Sequence, residues 1–307
     1  MRMLVVGAGS TGGYFGGRLA AAGKDVTFLV RPARAEQLRR TGLQIVSPAG
    51  DLSIKPQLLT AGEISAPFDI VLLAVKAFSL AATVEDFAPA VGPNTLILPV
   101  LNGMKHMDVL SARFGAERLA GCVCKIATVL DQEGRIAHLA PFHDLFYGER
   151  DGALTDRMAA IDAFMKGAGF DARLSSSIER EMWEKWILLA SLGAINCLMR
   201  GAVGDIAAAP GGAEFAASLL DEAVATVRAV GTAPSDAFVA AARDQLTRQG
   251  STQTSSMYRD LKQAKRIEAE QIVGDLVRRA REAQIATPLL SAAFANLSIY
   301  QSGLAAE

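Results

Sequence analysis

The chain has 307 residues, half of them hydrophobic, with 31 Lys and Arg against 32 Asp and Glu and a formal net charge of −1. That length carries two domains with a substantial core, and the balanced charge gives no electrostatic reason to expect nucleic acid or an anionic membrane as a partner. Its three cysteines, Cys122, Cys124 and Cys197, are too few and wrongly spaced for a disulfide framework or a zinc site; they read as buried apolar side chains in a reducing compartment, with no metal expected.

The first element is an apolar run, Met3 to Val6, ending in Gly7-Ala8-Gly9-Ser10-Thr11-Gly12 and continuing into a helix-like stretch from Tyr14 to Ala22. Strand, tight turn and helix start in that order make a phosphate cradle. Gly7 permits the turn, Gly9 lets the backbone approach a pyrophosphate, and Gly12 lets the helix pack close to the strand. The helix N-terminus adds unpaired N–H groups and a partial positive charge, so Gly7, Ala8, Gly9, Ser10, Thr11 and Gly12 are assigned to a dinucleotide. The apolar run lacks a cleavage pattern, and a soluble cytoplasmic protein is expected. A second strand, Asp25 to Val30, ends in Arg31-Pro32 where an NAD-binding fold would place an acidic residue. Arg31, with Arg34 close behind, suits the 2′-phosphate of NADP instead, which makes NADPH the expected cofactor; the competing reading is a solvated arginine opening the next helix.

A helix through Leu38 follows, then extended pieces at Leu43 to Val46 and Leu52 to Leu58. Two buried strands come next: Asp69 to Val75, ending in Lys76, and Thr95 to Leu101, ending in Asn102-Gly103-Met104. This alternation predicts a parallel sheet covered by helices. Ligands bind beyond the carboxyl ends of such strands, so Lys76 and Asn102 point toward cofactor or substrate. Gly121 to Tyr147 reads as several strands with turns at Glu133-Gly134 and Pro141, expected as antiparallel additions to the same sheet, and Phe170 to Leu174 as a last short strand.

From Ser176 onward the helical period dominates. Ser176-Ser177-Ile178-Glu179 has the pattern of a capping box opening a helix to about Arg200. Its longest nearly uncharged run, Ile187 to Met199, falls short of the ~20 residues of a membrane span. Further helices are predicted at Ala213 to Val230, Ser235 to Arg248, Met257 to Gln284 and Leu289 to Ser302. The expected fold is therefore α/β, with a Rossmann-type, mostly parallel sheet bearing helices on both faces in residues 1–175 and an all-α domain in residues 176–307.

Two of these helices carry a charge where the pattern asks for an apolar residue. Lys185 falls by helical phase within the stripe Ile178, Met182, Trp186, Leu189 and Leu192, and Glu268 within the stripe Met257, Leu261, Ala264 and Ile272. Such charges either snorkel, pair with each other in the core, or serve as a lysine acid and a carboxylate at a reaction site. His106 is read as a helix-surface residue, His138 and His143 as flanking strand ends without metal-ligand spacing, and Tyr258 as packing.

The combination of Gly7-Ala8-Gly9-Ser10-Thr11-Gly12, Arg31, Lys76, Leu101-Asn102-Gly103-Met104, Trp183-Glu184-Lys185, Ser255-Ser256-Met257 and Arg266-Ile267-Glu268 resembles the ketopantoate reductases over essentially the whole chain. The resemblance implies NADPH-dependent reduction of 2-dehydropantoate to (R)-pantoate, in the pathway to pantothenate and coenzyme A. It implies Lys185 as the proton donor to the keto oxygen, Glu268 orienting that lysine and binding a substrate hydroxyl, and Ser256 holding the substrate carboxylate. Asn102 would lie between nicotinamide and substrate, and Lys76 would contact the cofactor ribose or phosphates. A homodimer through the helical domain is a further implication.

One part of the pattern differs. The family commonly carries asparagines one and two turns after the lysine, where this chain has Leu189 and Gly193, with Asn196 the nearest asparagine. The pocket is thus more apolar than the family pattern, and a 2-keto acid with a bulkier or less hydroxylated tail is the alternative substrate. A related hydroxyacid dehydrogenase and a non-catalytic NADP-binding sensor are the remaining alternatives; costly charges on apolar stripes argue against the sensor.

Overall fold

The computed structural model describes residues 1–304, which form two compact units: Met1–Leu101 with His106–Glu179, and Asn102–Lys105 with Arg180 onward. In chain order the first part contains β1 (Arg2–Val6), α1 (Ser10–Ala21), β2 (Asp25–Leu29), α2 (Pro32–Thr41), β3 (Leu43–Val46), β4 (Leu52–Ile54), β5 (Gln57–Leu59) and β6 (Ile70–Leu73). It continues through α3 (Leu80–Phe87), β7 (Leu96–Pro99), α4 (Lys105–Phe114), β8 (Gly121–Leu130), β9 (Ile136–Gly148), α5 (Asp156–Met165) and β10 (Asp171–Leu174).

Five strands make a parallel sheet in the order β5-β2-β1-β6-β7. Along β1, Met3 and Val5 face one side and Leu4 and Val6 the other, and all four are at most 1% exposed. Burial on both faces is what a continuous apolar strand encodes. The chain leaves β1 toward β2 on one side and reaches β6 on the other, so Gly7 lies where the strand order reverses, the position at which such sheets bind ligands.

The expected antiparallel additions to this sheet form a separate sheet instead, in the order β10-β9-β3-β4, with β8 paired antiparallel to β9. The β8–β9 hairpin turns at 131–135, but Pro141 makes no turn; it lies inside β9, beside a register shift between Ile126 and Thr128 of β8. Helix α1 fits between the two sheets because its glycines come in pairs one turn apart. A Cβ on Gly12 would overlap the Gly7 carbonyl oxygen, and one on Gly16 would lie 2.7 Å from the Phe28 ring. On the other side, a Cβ on Gly13 would lie 2.5 Å from Ile136 Cδ1 and one on Gly17 2.8 Å from Leu43 Cδ2. A narrow helix with two bare sides can be sandwiched this closely.

The helical unit contains most of α6 (Ile178–Met199), then α7 (Val203–Ala208), α8 (Gly212–Val230), α9 (Asp236–Leu246), α10 (Ser256–Lys262), α11 (Asp275–Glu282) and α12 (Pro288–Leu304). Side-chain caps are present at Ser235, which accepts from the Phe238 N–H, and at Ser255, which accepts from the Tyr258 N–H. Glu179, expected in a capping box, puts both carboxylate oxygens on Arg150 at 2.9 and 3.1 Å.

The single helix predicted from Met257 to Gln284 is interrupted. After α10, Ala264 takes a left-handed conformation (φ +49°), and the Lys265 N–H bonds back to the Asp260 carbonyl at 2.9 Å, a Schellman-type stop made without glycine. The chain resumes as a π-helical turn, Glu270–Gly274, before α11. The helical phase used to place Glu268 on a stripe therefore does not exist: Glu268 lies in the non-helical segment, and its burial (8% exposed) comes from the tertiary fold.

Candidate active site

In the sheet unit, the Gly7 N–H bonds to the Leu29 carbonyl at 3.0 Å, and its φ of +96° requires glycine. Gly9 is the N-cap of α1, whose first turn has no side-chain cap and no acidic residue. The leading N–H groups of a helix lack partners within it. A Cβ built on Gly9 would meet nothing within 4 Å. Open space at Gly9 before bare N–H groups, with no acid in the first turn of α1, fits the pyrophosphate of a dinucleotide.

Arg31 is exposed at the N-cap of α2, and its Nη2 donates to Ser79 Oγ at 3.3 Å. Ser79 closes the 3₁₀ turn Ala77–Ser79, whose N-cap is Lys76, so the Arg31–Ser79 contact joins the segments that follow β2 and β6. Arg34 has a different place. Its Nε donates to the Ala8 carbonyl at 3.2 Å and its Nη1 to the Gly134 carbonyl at 3.1 Å, so it props the glycine turn from behind, and burial lowers its pKa.

In the helical unit, Lys185 is half-buried on α6, and the rings of Trp183 and Trp186, which flank it in sequence, lie 5.5 Å apart. Trp186 donates its indole N–H to the Ile272 carbonyl at 2.8 Å. Glu184 accepts from both the N–H and the hydroxyl of Ser235 at 2.9 Å, fixing α6 to the start of α9. Ser255 is buried and its N–H bonds to Asn196 Oδ1 at 2.8 Å, whereas Ser256 is exposed at the first position of α10. Asn102, read as the end of a sheet strand, belongs to the helical unit, so the structure gathers Asn102, Lys185, Ser256 and Glu268 in one unit and the cradle, Arg31 and Lys76 in the other.

Leu189 and Gly193 follow Lys185 on its helical face. A Cβ on Gly193 would lie 2.6 Å from Met257 Cε, so a thioether methyl takes the place of any side chain there. The Met257 contact and the Asn102-to-Gln271 contact had no sequence signal. His106 is fully buried rather than on a helix surface. Tyr258 is more than packing, since its hydroxyl donates to the Arg200 carbonyl at 2.6 Å. His138 and His143 lie within β9, stacked 5.5 Å apart, with Tyr14 Oη 2.6 Å from His143 Nδ1. All three cysteines are buried, and burial pushes the Cys197 thiol up to about 12, which removes it as a nucleophile. Among the described residues no group of His, Cys, Asp and Glu could hold a metal, and no helix is long and apolar enough to cross a membrane.

A parallel sheet ending in an open glycine cradle, joined to a helical unit with a half-buried lysine and a buried glutamate, is the plan of a dinucleotide-dependent oxidoreductase. The family model for ketopantoate reductase PanE/ApbA matches residues 3–152, and the model for its C-terminal part matches residues 177–301. The uncharacterized oxidoreductase YkpB of Bacillus subtilis is 37% identical over 302 residues, covering 98% of this chain and 99% of the relative. The 2-dehydropantoate 2-reductase of Halobacterium salinarum is 28% identical over 295 residues, covering 94% of this chain and 95% of the relative. The crystal structure of 2-dehydropantoate 2-reductase from Geobacter metallireducens matches with a TM-score of 0.87 at 27% identity, covering 97% of this chain and 99% of that one. The chain belongs to the ketopantoate reductase family and is an NADP-dependent oxidoreductase.

Proposed function

We propose that this protein reduces 2-dehydropantoate to (R)-pantoate in the cytoplasm, as a step toward pantothenate and coenzyme A, with residues 1–175 binding NADPH and residues 176–307 binding substrate and pairing two copies. The observation that carries the reading is the presence, in one helical unit, of half-buried Lys185 and buried Glu268, an ammonium and a carboxylate of the kind a keto reduction uses. Relatives named 2-dehydropantoate 2-reductase, from Halobacterium salinarum and Geobacter metallireducens, support the substrate.

The roles are those the resemblance to the ketopantoate reductases implies. NADPH supplies the hydride. Lys185 donates the proton to the oxygen that becomes an alkoxide, providing charge and proton from one group. Glu268 orients Lys185 and accepts a hydrogen bond from a substrate hydroxyl; Ser256 donates to the substrate carboxylate. Asn102 contacts both nicotinamide and substrate, Lys76 the ribose or phosphates, and Arg31 the 2′-phosphate.

A second reading is favoured by one contact. With Leu189 and the Met257 methyl over Gly193 standing where the family pattern has asparagines, the tail of the substrate meets carbon, and burying a hydroxyl there without a partner costs about 1–3 kcal/mol. A 2-keto acid with an apolar tail is then preferred by roughly ten- to a hundredfold. NADPH oxidation measured with 2-dehydropantoate and with 2-keto acids of similar size lacking the tail hydroxyl decides between them. Higher kcat/KM for 2-dehydropantoate supports the first reading; higher kcat/KM for the apolar tails replaces it with the second; NADPH binding with no oxidation by any of them overturns both in favour of a sensor.

A further inference from the structure

Glu270–Gly274 in the helical unit forms a π-helical turn. A π turn inserts an extra residue into the hydrogen-bond ladder, and its displaced backbone groups need partners from outside the helix. Here the partner is specific. The Ile272 carbonyl accepts from the indole N–H of Trp186, which is 1% exposed and follows Lys185 in α6. Glu268 lies two residues ahead of the turn.

The same turn holds the Asn102 segment. Gln271, 7% exposed, donates its amide Nε2 to the Asn102 carbonyl across 3.4 Å. Its own carbonyl oxygen lies 2.7 Å from where a Cβ on Gly103 would sit, and Gly103 has φ +79°. Only glycine closes that contact. Lys105, the last residue of the segment, pairs with Glu270 at 3.4 Å. Residues 102–105 are therefore clasped at the Asn102 carbonyl, the Gly103 backbone and the Lys105 ammonium, each by the first two residues of the π turn.

We infer that the π turn is a positioning device and that Gln271 and Trp186 are its positioning residues: Gln271 sets the Asn102 turn, Trp186 ties the turn to the Lys185 helix, and Asn102, Lys185 and Glu268 become parts of one body. The inference rests on the roles proposed above for those three residues. The need is geometric, since a displacement of about 1 Å at a reacting group costs on the order of a hundredfold in rate. Asn102 follows an edge strand of one unit but must keep register with groups held in the other, and the Gln271 clasp supplies that register.

The test uses the full-length chain with Gln271→Met, which keeps length and apolar contact but removes the amide, and Trp186→Phe, which keeps an aromatic six-membered ring but removes the N–H. Hydrogen exchange of the ligand-free protein should show residues 102–105 exchanging roughly five- to tenfold faster in Gln271→Met, with the rest of the chain and the melting temperature unchanged. In turnover, both variants should lose kcat by roughly five- to tenfold at constant KM for NADPH, with a larger primary isotope effect from C4-deuterated NADPH because hydride transfer becomes slower relative to release. Unchanged exchange at 102–105 overturns the inference. So does a fall in kcat matched by a fall in melting temperature and a rise in KM, which marks a merely structural role. Lys185→Ala separates the two readings: if it keeps full turnover the proposed reaction roles fail, whereas an inactive Lys185→Ala beside a wild-type Gln271→Met sinks only the clasp.

Discussion

Residues 3–22 and residues 255–282 both hold proposed site residues, yet they are built in opposite ways. In the first, each determinant is local. An apolar run makes β1, glycines at fixed spacing make the turn and the close packing, and the helix start makes the anion site. In the second, the determinants are distant. The chain stops at Ala264 without glycine or proline, and the exposed backbone is taken up by α12, through Tyr300 Oη to the Lys265 carbonyl at 2.8 Å and Gln301 Oε1 from the Ile267 N–H at 3.0 Å. Local coding is what a pattern can report; a helix broken by tertiary partners leaves no mark in its own segment.

Mutations sharpen that contrast, beginning with the largest expected effect. Gly12→Ala forces a Cβ into the Gly7 carbonyl, a backbone atom that cannot move aside. It should cost about 3 kcal/mol and lower the melting temperature by about 6–12 °C as well as abolishing NADPH binding. Gly9→Ala, which meets no protein atom, should weaken NADPH binding with the melting temperature unchanged. Equal melting temperatures for the two variants would contradict the assignment of one glycine to packing and the other to the phosphate.

Arg31→Ala should cost about 1.5–3 kcal/mol of NADPH affinity and little of NADH, shrinking the preference by ten- to a hundredfold. A ratio of the two dissociation constants equal to wild type removes Arg31 from the 2′-phosphate. In the distant-coded region, Tyr300→Phe removes one donor to the broken segment and should cost about 1 kcal/mol in chemical denaturation. Full stability in that variant would mean that the break is held by other contacts.

The smallest effect is a pH dependence. Burial, then the charge of neighbouring His138 and Arg18, holds the His143 imidazole below its ordinary 6.5, while Asp171 and Asp144 oppose the shift. The native state then binds fewer protons than the unfolded chain, so this contribution to stability is complete above about 6.5 and is lost as pH falls through the lowered native value. His143→Asn should flatten the decline of melting temperature between about pH 7 and 5, and an unaltered slope would remove His143 from the cause.

Much of the fold was legible. The parallel strands and the turn and close packing at Gly7 and Gly12 follow from short-range signals. The second sheet was misjudged because Pro141 reads as a turn, and only pairing with β3 and β10 shows that β9 runs through it. Glu268 was picked out by a helical phase that the break destroys; what the pattern detected was an acid in an apolar neighbourhood, which the fold buries by another route. Gln271 and Trp186 act across gaps of 169 and 86 residues in sequence, and Met257 by filling a space that a glycine leaves, and no local rule reaches them.

The central claim is that hydride accepted by a keto carbon is matched by a proton from Lys185. Single-turnover oxidation of bound NADPH, followed by its absorbance after mixing with 2-dehydropantoate, tests it in wild type and Lys185→Ala. Bound NADPH in both, with oxidation slowed on the order of a hundredfold or more in the variant, is the predicted result; oxidation at the wild-type rate in Lys185→Ala would contradict it.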